Sequence, residues 1–297
     1  MFNSKTGCTI AVISSIFFLT SCIPQKQVSS SKTELNSINS ELYENNEVLH
    51  KLDAIRVAKE TENEIDDSLS LRLKKYIDAT REEIDTLIKG NSIMIGETIV
   101  DKNDWDRLKS ALSSIRNSSR KINDKVLFLS DLVNRNLVIK LDQDVIFEPG
   151  QYRVTPSLAD NITKQFEPAI REIDLFTKKY PDFPLSLVIT AKGYSDATLI
   201  PAGSQLYRDL KQRLNLSTVE PDNRELNKEL SRARAEGIKL LFQKFASGRT
   251  DSRIFNSKVL YLYEGKGELY PDPSVTNYRS NDPRRRVVLL YWSVFPE

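Results

Sequence analysis

Histidine is almost missing from this chain: His50 is the only one in 297 residues, and it stands in a charge-rich stretch far from the other candidate site residues. That argues against histidine-based acid/base chemistry and against a histidine zinc centre. Cysteine is nearly as scarce. Cys8 and Cys22 both fall in the first 22 residues, so the rest of the chain has no disulfide, no thiol nucleophile and no thiolate metal cluster. Charge of one sign is lacking too, with 43 Lys and Arg against 41 Asp and Glu and a net charge of +2. No broad field attracts nucleic acid, and charged recognition has to be local. Nucleophile elbows and phosphate loops are also missing, and Gly265-x-Gly267 alone does not make a nucleotide site. The expectation is a protein that is not an enzyme and carries no cofactor and no metal.

An apolar run from Cys8 to Leu19 follows Lys5; it is too short for a bilayer span and suits the core of a signal peptide. It ends in Leu19-Thr20-Ser21-Cys22, which resembles a bacterial lipobox. The resemblance implies a signal peptide over 1–21 and a mature chain that starts at a diacylated Cys22, held by acyl chains at roughly 0.8 kcal/mol per buried CH₂. Ile23 after the cysteine, by likeness to other lipoproteins, implies export to the outer membrane, lipid-anchored on the periplasmic face.

Residues 22–32, rich in Ser, Gln and Lys, read as a flexible tether. From Leu35 the apolar positions Leu35, Ile38, Leu42, Leu49 and Leu52 continue loosely through Ile65, Leu69, Leu73, Ile77, Ile84 and Ile88, the spacing of one long amphipathic helix. Gly90-Asn91, Gly96 and the polar run around Asp101 to Asp104 interrupt it. Trp105, Leu108, Leu112, Ile115, Ile122, Val126, Leu129 and Val133 then resume a heptad, with Ser119 as its polar seam position. So narrow a stripe needs a partner, either the first helix folded back as a hairpin or the same segment of another copy. Region 33–135 is therefore read as coiled coil or helical hairpin, with homo-oligomers or envelope proteins as possible partners.

Past Asn136 the period becomes two. Leu137 to Asp142, Val145 to Phe147, Leu185 to Ile189, Val259 to Tyr263 and Val287 to Trp292 read as strands. Helices are expected from Thr155-Pro156 to Tyr180 and from about Asn227 to Lys244. The fold class is α+β: residues 136–297 form an α/β sandwich, two helices on one face of a mixed sheet, after a long helical region.

Five motifs in this half occur in one order. Phe147-Glu148 is similar to a Phe-Asp element, and Gly193-Tyr194-Ser195-Asp196 to Gly-His-Thr-Asp. Asn227, Leu230-Ser231 and Arg234-Ala235 match Asn-x-x-Leu-Ser-x-x-Arg-Ala. Gly265-Lys266-Gly267-Glu268 with Pro271, and Arg285-Arg286-Val287, resemble the closing Gly-x-Gly-Glu-x-x-Pro turn and Arg-Arg-Val strand. Together they resemble the OmpA-like peptidoglycan-binding domain family.

The resemblance implies non-covalent binding of the diaminopimelate of the peptidoglycan stem, with Asp196 and Arg234 as its clasp. Asn227, Ser195, Glu148, Ser231 and Arg285 complete the ligand-binding set, although Arg285 also reads as a structural surface arginine. The chemistry is independently sensible: a free amino-acid end is a zwitterion, and it needs a carboxylate for its ammonium and a guanidinium fork for its carboxylate. Asn227, Ser231 and Arg234 share one helix stripe, and the helix N-terminus offers donors to an anion. The competing reading is a simple Asp196–Arg234 surface ion pair, with Asn227 as a helix cap.

Residues 197–226 are an insertion beside this site, either a surface loop with one short amphipathic helix or a lid. Two functions from different classes follow. One is a tether between outer membrane and cell wall; the other is a scaffold or secretion-complex lipoprotein whose helices recruit proteins and whose sandwich has lost wall binding.

Overall fold

The computed structural model describes residues 25–135, 137–142, 147, 151–181, 183, 185–215, 220–248 and 259–296. The lipobox with Cys22, Glu148 and the strand expected around Val145 lie outside the described residues. The chain is an α+β protein: three helices, α1 (Gln25–Thr61), α2 (Asp67–Gly96) and α3 (Lys102–Val133), precede a four-stranded mixed sheet with its own helices. No described helix is long and apolar enough to cross a membrane.

The tether expected over 22–32 is helical from Gln25 onward. No glycine or proline follows Pro24 for dozens of residues, and Val28, two turns before Leu35, is buried like it. The single helix expected to run on to Ile88 is in fact two. Asn63 takes the left-handed conformation at φ 55°, which a short polar side chain tolerates. Asp66 then caps the next helix, accepting from Ser68 N at 2.7 Å and Leu69 N at 3.0 Å. Gly90 does not end α2, whose next residue, Asn91, is fully buried.

Two compact units result. In the first, formed by the described residues up to Leu42 and Asp85–Arg120, Asn91 Nδ2 donates to Asn39 Oδ1 at 2.8 Å and Arg116 pairs with Glu34. The second holds Tyr43–Ile84 and everything from Lys121 onward, so the boundary expected at 135/136 is not where the contacts divide. Within this unit Arg56 binds Asp53, Glu60 and Ser70, and Lys125 pairs with Glu83. The heptad residues Leu108 to Val133 are buried within the single chain, so their seam is filled by helices of the same molecule.

The strands β1 (Val138–Asp142), β2 (Leu185–Gly193), β3 (Val259–Gly265) and β4 (Val287–Pro296) are ordered β1-β4-β2-β3. β4 is antiparallel to both β1 and β2, and β2 is parallel to β3. A parallel neighbour needs a crossover, and α6 (Asn223–Ser247) lies in that connection, after α4 (Pro156–Lys179) and α5 (Gln205–Arg213). Under α4 and α6, Leu187, Ile189 and Ala191 of β2 are buried along with Phe166 and Phe242, whose rings meet edge-on at 5.0 Å.

One face was expected to carry helices; both are covered. On the second face Tyr194, Val287, Leu289 and Tyr291 form a buried cluster. The Tyr291 hydroxyl donates to Asn63 O at 2.8 Å, Lys192 Nζ to Asp67 Oδ1 at 3.3 Å, and the Arg72 guanidinium lies over Phe295. Beside the sheet Phe128 of α3 packs against Phe176, Tyr180 and Phe183.

The Asp67 contact makes a pH prediction. Partial burial pushes the Asp67 carboxyl up, but the charges of Lys192 and Lys266 and the Lys192 hydrogen bond outweigh it, and the net shift is downward. A lowered folded value means stabilisation that is present above the ordinary carboxyl range, near pH 4, and is lost as the pH falls through the folded value. Melting followed from pH 7 to pH 2 is expected to show a shallower acid loss in Asp67→Asn than in the parent.

Candidate functional site

β2 does not stop pairing at Gly193. Tyr194 N donates to Val287 O at 2.9 Å, Lys266 N to Gly193 O at 2.8 Å, Ser195 N to Gly267 O at 2.8 Å and Ala197 N to Ser280 O at 2.7 Å. The Gly193 to Asp196 motif is thus threaded between the turn after β3 and the segment ahead of β4. The first half of α6 closes over it. Gly193 and Gly265 lie against the α6 backbone at Ser231, Lys228 and Arg232, and Gly267 at φ +59° makes the turn that a side chain would resist. Four segments distant in the chain therefore meet at one end of the sheet.

Most of the motif residues spend their polar groups on one another. Ser195 Oγ donates to Asn227 O at 3.2 Å, and Asn227 Nδ2 donates to Glu268 Oε1 at 2.9 Å and to Thr198 O at 3.2 Å. Ser231 Oγ accepts from Gly267 N at 2.9 Å and donates to Lys228 O at 2.8 Å. Arg285 is buried, not a surface arginine: Nη1 donates to Ser280 O at 3.0 Å, Nη2 to Glu268 O, and its guanidinium lies 5.0 Å from the Tyr270 ring centre. These four residues act as struts. They hold the turn at 265–268 and the closing segment in place.

Asp196 and Arg234 are each 6% exposed, so neither is a surface group. Asp196 Oδ2 accepts from Thr198 Oγ1 at 2.7 Å and from Arg286 Nε at 2.9 Å, and Oδ1 accepts from Thr198 N at 3.3 Å. Arg234, one turn along α6 from Ser231, faces another segment. Its Nε donates to Gln151 O at 3.0 Å and its guanidinium covers the Phe147 ring at 5.3 Å. The direct Asp196–Arg234 ion pair weighed from sequence is thus not formed.

α6 begins at Asn223, a full turn before Asn227. Asp222 is its cap, with a reciprocal box to Glu225, so Asn227 is not the cap and lies inside the helix, past the end whose donors were to face an anion. Asp282 caps the short turn Pro283–Arg285 and takes a hydrogen bond from Arg284, which with backbone donors holds its carboxyl far below the usual range against the opposing effect of burial. That turn aims Arg286 at Asp196, past the end of β2, and Arg285 at the turn after β3.

The insertion carries the one short helix expected of it, α5. Ile200 and Leu210 cluster with Leu226 and Leu230 of α6, and Arg213 donates to Glu229 at 2.9 Å and Glu236 at 2.7 Å. A groove of about 340 Å³ lined by Arg224, Lys228, Lys266 and Glu268 lies beside the Asn227–Glu268 contact. No cluster of His, Cys, Asp or Glu among the described residues could hold a metal ion.

Sequence reasoning did not assign Arg286 or Thr198. Arg286 had a signal: β4 is antiparallel to β2 with Val288 opposite Gly193, so the residue two before Val288 comes level with Ser195. Thr198, two residues after Asp196, fits the short local turn that aspartate favours. No protein-family model matches the chain, and a search of curated proteins returns no match.

Proposed function

We propose that this is a lipid-anchored envelope protein, exported to the periplasmic face of the outer membrane through Cys22, whose sheet domain grips peptidoglycan non-covalently. It is a binding protein and not an enzyme. The ligand is the dipolar end of a diaminopimelate stem residue, its ammonium at Asp196 and its carboxylate at Arg234.

The observation that carries the reading is the convergence of the segments 193–197, 265–268 and 280–286 with the first half of α6 at one sheet end, and an acid and a base buried on two different elements. Both are held before any ligand arrives, Asp196 by Thr198 and Arg234 by Gln151 O and Phe147. Preorganisation of this kind lowers the ordering cost of binding. Glu148, beyond the described residues, would stand beside Phe147 in the chain.

Co-sedimentation of the full chain in detergent with purified peptidoglycan sacculi tests it. Asp196→Asn and Arg234→Gln each remove one charge-assisted contact, worth about 1.5–3 kcal/mol or at least tenfold in affinity. Each is expected to leave the protein in the supernatant at concentrations where the parent pellets. Full retention by both would remove the mechanism.

One observation favours the scaffold reading. Asp196 and Arg234 already have internal partners, and the insertion is pinned to α6 by an apolar cluster and two ion pairs rather than hinged. If no form of the protein sediments with sacculi while the helices retain protein partners, that reading stands in its place.

A further inference from the structure

We propose that Arg286 is a built-in competitor for the ammonium of the ligand: its guanidinium occupies the cation position at Asp196 and must leave before the wall ligand enters. The inference rests on the wall-binding reading above and adds to it a residue that sets affinity and selectivity.

A carboxylate has about four acceptor positions. Three at Asp196 are filled, by Thr198 N, Thr198 Oγ1 and Arg286 Nε. The Thr198 contacts are local to the turn, and its carbonyl is held by Asn223 Nδ2 at 3.3 Å and Asn227 Nδ2 at 3.2 Å. Displacing them would open the insertion. Arg286 differs, because its side chain is 31% exposed while that of Asp196 is 8% exposed. With the carboxylate itself nearly buried, the Arg286 guanidinium covers its approach from solvent.

Exchange also balances charge. Leaving Asp196 bare in a buried site would be costly, whereas replacing one monovalent cation by another keeps the carboxylate paired throughout. The exchange itself returns little energy, so an amine alone has no advantage over Arg286. A dipolar ligand gains a second contact at Arg234 and wins. Competition at one point thus makes the site demand both ends of the zwitterion, a form of selectivity by penalty, and affinity is reduced by the fraction of time Arg286 is seated.

The experiment measures sedimentation isotherms with sacculi for the parent, Arg286→Gln and Asp196→Asn, together with the ¹⁵N Nε–H resonance of Arg286 in the parent titrated with meso-diaminopimelate. Arg286→Gln is expected to bind about tenfold more tightly, Asp196→Asn to lose binding, and the Arg286 resonance to move toward its solvent-exposed position as diaminopimelate saturates. Equal or weaker binding by folded Arg286→Gln, or an unmoved resonance in a parent that binds, would overturn the competitor role and leave wall binding intact. Should Arg286→Gln fail to fold, the resonance in the parent decides alone. If the parent and both variants all stay in the supernatant, wall binding falls and the competitor role falls with it.

Discussion

Gly193→Ala is expected to unfold the sheet domain at temperatures where the parent is native. A Cβ at this position would overlap the carbonyl oxygen of Ser231 and fall 2.8 Å from its carbonyl carbon. Both obstacles are backbone in the middle of α6, which cannot rotate away as a side chain can. Gly265→Ala meets the same wall, overlapping Lys228 O and lying 2.6 Å from Arg232 Cβ and 2.7 Å from Arg232 N. The helix would have to lift off the ends of β2 and β3, taking Ser231 from Gly267 and Asn227 from Glu268. Overpacking a tight contact costs about 1–3 kcal/mol and more where backbone must move. At roughly 2–4 °C per kcal/mol for a chain of this class, either variant should melt about 10 °C lower by circular dichroism. Gly90→Ala is the control. Its Cβ meets nothing within 4 Å in a helix interior, so the substitution should stabilise by about 0.5–1 kcal/mol. A parent-like melt for Gly193→Ala would mean that α6 does not rest on the strand as described.

How far the sequence was readable follows from which forces leave a periodic trace. The heptad from Leu108 to Val133, the alternation in β2 and β4 and the proline-led start of α4 are repeated patterns, and each of these elements formed where its pattern lay. The break at Asn63 was hidden because apolar spacing runs through it from Leu52 to Ile65 and Leu69. The opposing signals were single residues, a left-handed Asn and a capping Asp. Coverage of the second sheet face was also hidden. Thr190 and Lys192 alternate with Ile189 and Ala191 as solvent-facing residues would, yet both are buried, and Lys192 is tied to an aspartate 125 residues earlier. At the candidate site, motif order pointed to Asp196, Arg234, Asn227 and Ser231, because residue types in sequence report which segments carry polar groups. It could not report which partner each chooses. Asp196 took the nearer Arg286 across the β2–β4 pair, and Arg234 was turned toward Gln151 by its position one helical turn past Ser231.

Excising the helices should cost the sheet domain its fold, which bears on any attempt to separate wall binding from partner recruitment by deletion. A fragment of residues 136–297 would lose Asn63, Asp67 and Arg72 from the second sheet face, returning Tyr291, Tyr194 and Phe295 toward water and leaving the Lys192 ammonium without its carboxylate. It would also lose Phe128 from among Phe176, Tyr180 and Phe183. Each large apolar side chain re-exposed costs about 1.5–3 kcal/mol, and an emptied aromatic site about 3–5 kcal/mol. Three or four such losses match the entire 5–15 kcal/mol that holds a typical domain folded. The fragment is therefore expected to aggregate or to show no cooperative melt. A chain that keeps Tyr43–Ile84 and Lys121–Glu297, joined by a short linker in place of Asp85–Arg120, retains every one of these contacts and should melt within a few degrees of the parent. Cooperative, parent-like melting of the 136–297 fragment would defeat the argument. With the longer piece in hand, sedimentation with sacculi separates the two functional readings: wall binding that survives loss of the first compact unit belongs to the sheet end, and any envelope partner lost with that unit belongs to the helices.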